Sequence, residues 1–410
     1  MEQHSTYRIP QHLIDGTRKK NSSGKKGNSS PLGSITKTHV NLTTKGFQRV
    51  HEFLLQDQSA KLLPKERVCN CLKRKIKKDE NRSVKYKPDT KKAHWSNVQR
   101  CDSLWTCPVC AKRISEGRRS ELQKGVEEWK TRGGSVFLMT LTFSHSKQHS
   151  LKGLLEGQKK ALKRFYETTK VQGIFKELGL FGKVKSLEIT YGKNGWHPHN
   201  HILMMTEFNL TENQLHKAQM ELSELWIKAC TKSGLNAPNM THGLDLRDGT
   251  YAEKYVSKWG IEQEVTKGVI KRGKADSYNP FDILNLSIDD KDIYGSPASK
   301  VFQEYGIATK GVRQLEWGRG LKKELLIDEV SDDELQAEKP EDIELSSVDD
   351  YTFEVIKAHQ KRHEFLTALA DDYQTNSIGN GKAEMLLIDL FEKEIAQPKV
   401  EVGWHLNNGV

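Results

Sequence analysis

A chain of 410 residues, with 29% charged and 35% hydrophobic side chains, is long enough for two or three compact units and too polar to pack along its whole length. No apolar run approaches the ~18 residues that cross a bilayer, and the opening MEQHSTYRIPQHL lacks the apolar core of a secretion signal, so a membrane or secreted protein is not expected and the cytoplasm is. The net charge of +11 averages two opposed regions: residues 1–327 hold 58 basic and 34 acidic side chains, net +24, whereas from Asp328 onward 7 basic and 20 acidic ones give −13.

A segment this basic points to a polyanionic partner, nucleic acid first. In chain order, residues 1–45 read as a disordered basic arm, with Arg18-Lys19-Lys20 and Lys25-Lys26 among Ser, Gly and Asn. Residues 46–132 form a cysteine-bearing module that enters through the apolar Phe53-Leu54-Leu55 and ends on a helix predicted from Ser115 to Lys130. Residues 133–327 read as an α+β domain. Its predicted elements are a buried strand over 135–144, a helix over 151–170, and two strands, 183–190 and 197–205, joined by a tight turn. A helix over 211–230 follows, opened by the capping box Thr211-x-x-Gln214, then a short strand over 243–247 and a helix over 250–262. That order suits helices laid over a mainly antiparallel sheet. Residues 328–410 read as an acidic linker to Asp350 and a helical C-terminal region, with helices over 351–372 and 381–396.

Five of the six cysteines lie between 69 and 110. Cys107-Pro-Val-Cys110 is a knuckle whose bend lets two thiolates share one tetrahedral zinc, and Cys101 stands six residues before it. Cys69 or Cys71 supplies the fourth ligand, with His94 as a fallback. A structural Zn²⁺ would fold a segment too lysine-rich to build a core alone. The basic neighbours Arg113, Arg118 and Arg119 make this module a DNA-contacting candidate. Cys230 sits on an apolar helix face and reads as core.

The stretch Trp196 to Met205 (WHPHNHILMM) places His197, His199 and His201 on one face of a strand, since side chains alternate with period two. If the hairpin turns at Lys193-Asn194, Glu188 stands opposite His199. A His-His-Glu set with open positions suits Mg²⁺ or Mn²⁺ on a phosphate, and zinc would also bind. Whether Glu188 or His197 completes the set stays open, and a one-residue slip would remove the carboxylate altogether.

In Asp248 to Trp259 (DGTYAEKYVSKW), Tyr251, Tyr255 and Lys258 fall on one helix face. A phenol attacks poorly unless a cation withdraws charge from its target. Tyr255 beside a cation-bound phosphate would have that help, with Lys258 holding the phosphate or moving a proton, and Lys254 against DNA.

In this order, the segments resemble the rolling-circle replication initiators of small bacterial plasmids, members of the HUH endonuclease superfamily. Cys101-x5-Cys107-Pro-x-Cys110 is similar to their zinc-binding lead-in, Phe137 to Thr142 (FLMTLT) to a first motif, and Glu188 through His201 to the histidine motif. Ser223-x-Leu-Trp226 resembles the helix before the active tyrosine, and Lys254-Tyr255-x-x-Lys258 the tyrosine motif. The resemblance covers about residues 68–260, and more loosely Lys310 to Lys322. It implies an HUH fold, a metal-dependent strand-specific nick at origin DNA (single-stranded or supercoiled) through a 5′-phosphotyrosine on Tyr255, and strand rejoining at termination. Asn200 departs from the usual apolar middle position, and Tyr251 stands where many relatives carry Glu, which suggests a second nucleophile. The histidines precede the tyrosine, unlike in conjugative relaxases. Gly268 to Ala275 is a near-miss of a phosphate loop, so a host helicase is expected as a partner alongside a host DNA polymerase. An HUH-type transposase and a non-catalytic zinc-containing DNA-binding regulator are the alternatives, and oligomeric state is not legible.

Overall fold

The computed structural model describes residues 51–258, 277–328, 331 and 341–396. The basic arm, the near-miss phosphate loop and residues 259–262 of the expected tyrosine helix lie outside them. Helix α1 (51–62) carries the Phe53-Leu54-Leu55 patch and buries Leu55 completely. The lysine-rich stretch that follows folds as an unanticipated hairpin, β1 (Arg82–Lys87) and β2 (Lys92–Ser96). Its charges hide the strand period, but Val84 and Trp95 pair across it and are buried. Helix α2 (Pro108–Thr131) begins seven residues before the expected Ser115, because Pro108, with its fixed φ and missing N–H, suits the first turn.

Strand β3 (Ser135–Leu141) is followed by α3 (Leu151–Glu167) and α4 (Thr169–Glu177), where the sequence pattern suggested one helix. Thr168 turns extended and breaks it. Strands β4 (Leu180–Gly192) and β5 (Gly195–Thr206) then form the longest hairpin, turning at Lys193-Asn194 as expected. Helix α5 (Glu212–Lys232) opens on the Thr211/Gln214 capping box. Then come β6 (Leu244–Arg247), α6 (Gly249–Lys258), β7 (Ser277–Tyr278), α7 (Pro280–Leu286), α8 (Ala298–Ala308), β8 (Leu315–Trp317) and α9 (Leu321–Glu324). Helices α7 and α8 were not anticipated, although Asn279-Pro280-x-Asp282 is a capping-box signature for α7.

The main sheet runs β6-β3-β5-β4-β7, with β8 also on β4, and every pairing is antiparallel. This is the mixed α+β arrangement the element order implied. One face, through Phe137, Met139, Ile202 and Met204, packs with Leu154, Phe165 and Trp226 of α3 and α5. The other, through Val136, Leu138, Val184, Leu203 and Met205, is covered by Leu122, Val126 and Trp129 of α2 and by Ala252 and Val256 of α6.

The C-terminal region is not an appendage. Strand β9 (Ile343–Val348) pairs with β1, giving a second sheet ordered β2-β1-β9, and α10 (Asp350–Ala358), α11 (Arg362–Gln374) and α12 (Lys382–Ala396) follow. Trp95 packs edge-on against Phe353 at 5.1 Å and stacks on Phe365 at 5.8 Å, so the module that carries the cysteines borrows its core from the C-terminus. Nη2 of the buried Arg362 donates to both carboxylate oxygens of Asp57, at 2.9 and 3.0 Å, and Nη1 donates to Gln56 Oε1 at 3.2 Å. No helix among the described residues is long and apolar enough to cross a membrane.

Candidate functional site

Cys71, Cys101, Cys107 and Cys110 converge, all buried, with sulfurs within 4.8 Å of one another. The Cys71–Cys110, Cys101–Cys110 and Cys107–Cys71 separations are 3.5, 3.7 and 3.8 Å. Thiolates at ~2.3 Å from a tetrahedral zinc stand about 3.8 Å apart, so this donor set could hold Zn²⁺ without rearrangement. Burial drives Cys107 well above the ordinary thiol range, while hydrogen bonds from Cys101, Cys107 and Cys71 hold Cys110 well below it. Gln56 Nε2 donates to Cys107 Sγ at 3.4 Å, an outer contact of the kind that steadies metal thiolates. The choice left open by spacing is resolved within this cluster: Cys71 joins it, whereas Cys69 Sγ donates to the Leu63 and Ala60 carbonyls at 3.1 and 3.3 Å. His94 faces Asp342 at 3.4 Å instead.

The second cluster is built by the β4–β5 hairpin, in which Glu188 pairs directly with His199. Alternation then brings His201 to the same face, and Glu188 Oε2 lies 3.3 Å from Nε2 of both His199 and His201. Neighbouring ligands of a cation held at ~2.1 Å stand about 3.0–3.4 Å apart, in octahedral or tetrahedral geometry, so these three residues could hold a divalent ion. Burial alone would raise the Glu188 carboxyl, but hydrogen bonds from His199 and His201 outweigh it and hold it well below the usual carboxylate range. Thr140 Oγ1, from β3, lies 3.0 Å from His201 Nδ1 and fixes the ring with Nε2 toward the carboxylate.

His197 shares the face but stands outside the three-residue set. Its Nε2 lies 2.7 Å from Thr142 Oγ1, its ring stacks on His145 at 4.8 Å, and burial followed by the neighbouring His199 and His145 pushes its pKa down to about 3. Pro198 falls just beyond Leu141–Asn200, the last pair with β3, where a missing N–H is tolerated. Asn200 points to the opposite face and is fully buried, with neither side-chain polar atom hydrogen-bonded among the described residues.

Helix α6 is set against β3 by a close approach at Gly249, where a Cβ would lie 3.1 Å from the Val136 carbonyl. Asp248 Oδ1 caps it, accepting from Thr250 N and Tyr251 N at 2.8 and 3.3 Å. With Ala252 and Val256 buried beneath, Tyr255 projects toward the histidines: its hydroxyl donates to Glu188 Oε1 at 3.3 Å and its ring lies 4.7 Å from that of His201. Tyr251, one turn earlier, is 51% exposed with the Arg247 guanidinium 5.3 Å from its ring, so the two phenols do not converge. Lys258 closes the helix, and its side chain lies outside the described residues. Lys254 is exposed, Arg113 and Arg119 are half-buried, and Arg118 pairs with Glu121 at 2.6 Å.

Thr140, Thr142 and Gln56 were missed by sequence reasoning. The threonines alternate along β3, but the pairing of Thr140 with His201 spans 61 residues and leaves no local signal.

The profile of a family described as replication protein matches residues 92–365. A "Protein rep" from Streptomyces lividans is 27% identical over 294 residues, 56% of this chain and 64% of the relative. A "Neomycin resistance protein" from Streptomyces cyanogenus is 26% identical over 131 residues, 26% of this chain and 30% of the relative. The chain therefore spans less than two thirds of the length of either relative. No solved structure matches. The matched span holds the histidine hairpin, Tyr255 and strand β9, and begins after Cys71.

Proposed function

The chain belongs to the replication protein family, and on that premise we propose that it initiates rolling-circle replication of a small bacterial plasmid by nicking one strand of origin DNA with Tyr255. The observation that carries this reading is the Tyr255 hydroxyl, 3.3 Å from the carboxylate that His199 and His201 share. A phenol with an ordinary pKa near 10 is a poor nucleophile, and this is a place where a cation would compensate. A divalent cation held by Glu188, His199 and His201, Mg²⁺ or Mn²⁺ in this reading, supplies a Lewis acid that draws charge from the scissile phosphate.

The residues of the chain do the rest. Glu188 Oε1, as acceptor, aims the phenol, and the packed Ala252/Val256 side of α6 holds it there. Tyr255 Oη forms the bond to phosphorus as the P–O3′ bond breaks, and the proton the phenol gives up is balanced by the one the leaving oxygen takes up to become the free 3′-hydroxyl that a host polymerase extends. The phosphodiester is conserved in the 5′-phosphotyrosine, so a later attack by a hydroxyl rejoins the strand. Lys258 is assigned to phosphate contact or proton transfer, and Tyr251 to accepting the returning strand. Arg113, Arg118, Arg119 and Lys254 are assigned to DNA, with a structural zinc on the four cysteines and a host helicase as partner.

A labelled single-stranded oligonucleotide carrying the plasmid's origin strand, incubated with protein and Mn²⁺, tests this. A covalent adduct should form and should vanish in Tyr255→Phe; full cleavage by that variant would sink the assignment. With the same substrate, Tyr251→Phe should nick but fail to rejoin, and normal rejoining removes it from the cycle.

A further inference from the structure

Helix α12 is apolar on two sides. Its inner side buries Ala383 and Leu390, and Leu386 and Leu387 pack with them against the main core. At ~100° per residue, Met385, Ile388, Glu392 and Ile395 share an arc of about 80° on the outer side. There Met385 is 70% exposed, Ile388 52% and Ile395 83%. At the edge of the stripe, the exposed Tyr351 of α10 stacks on Phe391 with ring centroids 5.9 Å apart. The outer face of a surface helix is normally polar, so large aliphatic side chains in one stripe mark a surface that meets a partner. Their order along the helix is that of a coiled-coil seam, with Glu392 at the one seam position that is not apolar.

Charge decides the occupant. Glu392 and Glu384 are exposed and carry no ion pair among the described residues. The lysines of the same helix are already engaged, Lys393 with Asp389 at 2.6 Å and Lys382 with Asp371 at 2.8 Å. The stripe therefore presents carboxylates without a spare cation, which repels nucleic acid and anionic lipid alike. A second copy fits no better. Parallel pairing would set Glu392 against itself, and antiparallel pairing of Met385 with Ile395 would set Ile388 against Glu392. Either arrangement buries a carboxylate with no counter-charge. A lysine or arginine opposite Glu392 removes that cost, and one charged seam position of this kind selects an unlike helix over a like one.

We propose that the outer face of α12 docks a basic amphipathic helix of another protein, with aliphatic side chains on Met385, Ile388 and Ile395 and a lysine or arginine on Glu392. The proposal adds a protein partner to the DNA-directed reading and does not depend on the chemistry at Tyr255.

Fluorescence anisotropy with the full chain and a labelled synthetic peptide tests it. The probe is a helix of about two heptads with Leu along the seam, one central seam Lys, and Lys on both flanks. It should bind, and Ile388→Asp with Ile395→Asp should weaken it at least about tenfold while the melting curve stays that of the wild type. Glu392→Lys should weaken the same probe, yet should bind more tightly than the wild type does a probe whose central Lys is replaced by Glu. A peptide of the same composition in scrambled order should bind at least about tenfold more weakly than the probe. Equal binding of the scrambled peptide, full binding by the isoleucine pair, or no response to the exchange of charge at Glu392 overturns the proposal. Failure of the wild type to bind the probe also overturns it, the result expected if the chain's own last residues already close the face. A wild-type dimer in sedimentation that the isoleucine pair splits would give the face to a second copy. Anionic phospholipid vesicles that retain the wild type but not the pair would give it to a membrane, and either result sinks the protein partner.

Discussion

The two metal-ready clusters are opposites. Four cysteines of one chemical type meet in a fully buried tetrahedron, while Glu188, His199 and His201 leave one side open and a phenol at its edge. A closed set of soft donors spends its binding energy on folding, and an open set of imidazole and carboxylate keeps positions for a substrate. The surroundings agree: the cysteine cluster sits in the main apolar core, whereas the histidine face of β5 carries a carboxylate and a phenol beside its imidazoles.

The largest effect expected of this contrast is at Cys107. Metal analysis should find about one zinc per chain in the wild type and none in Cys107→Ser, whose melting curve should show a fold destabilised by more than about 5 kcal/mol. Cys69→Ser, outside the cluster, should match the wild type in zinc content and in melting temperature. Equal behaviour of the two would erase the distinction between them. His201→Ala should behave in the reverse sense. It should cut strand cleavage by roughly 10²–10³-fold or more with a nearly unchanged melt, and unfolding instead would make that cluster structural too. The smallest effect is at Thr140. Thr140→Val frees His201 Nδ1 and should raise the Mn²⁺ concentration needed for half-maximal cleavage about 10–100-fold. An unchanged Mn²⁺ midpoint would show that the threonine does not orient the ring.

Much of the site was legible because its geometry is local. The histidine alternation and the Glu188–His199 pair follow from a two-residue turn and a period of two. Less of the fold was legible around the cysteines. Hairpin β1–β2 hides under lysines, and its third strand arrives from residues 343–348, more than 240 positions away. The acidic count after Asp328 suggested a linker leading to a separate helical region, but Phe353, Phe365 and Arg362 complete the core around Trp95 and α1. Charge averages conceal a few apolar anchors, and those anchors decide packing.

The sequence by itself determined the chemistry available: a cysteine knuckle, imidazoles on one strand face with a carboxylate in register, a capped tyrosine helix, and a basic body. Each is set by spacings of two to six residues or by one tight turn, where backbone geometry leaves little choice. Only the tertiary structure decided that Cys71 rather than Cys69 closes the tetrahedron, that Tyr255 and not Tyr251 reaches Glu188, and that Thr140 aligns His201. Those contacts join segments 30 to 67 residues apart. No periodicity encodes them, because they depend on how buried faces such as Ala252 and Val256 on Leu138 and Leu203 dock across the sheet.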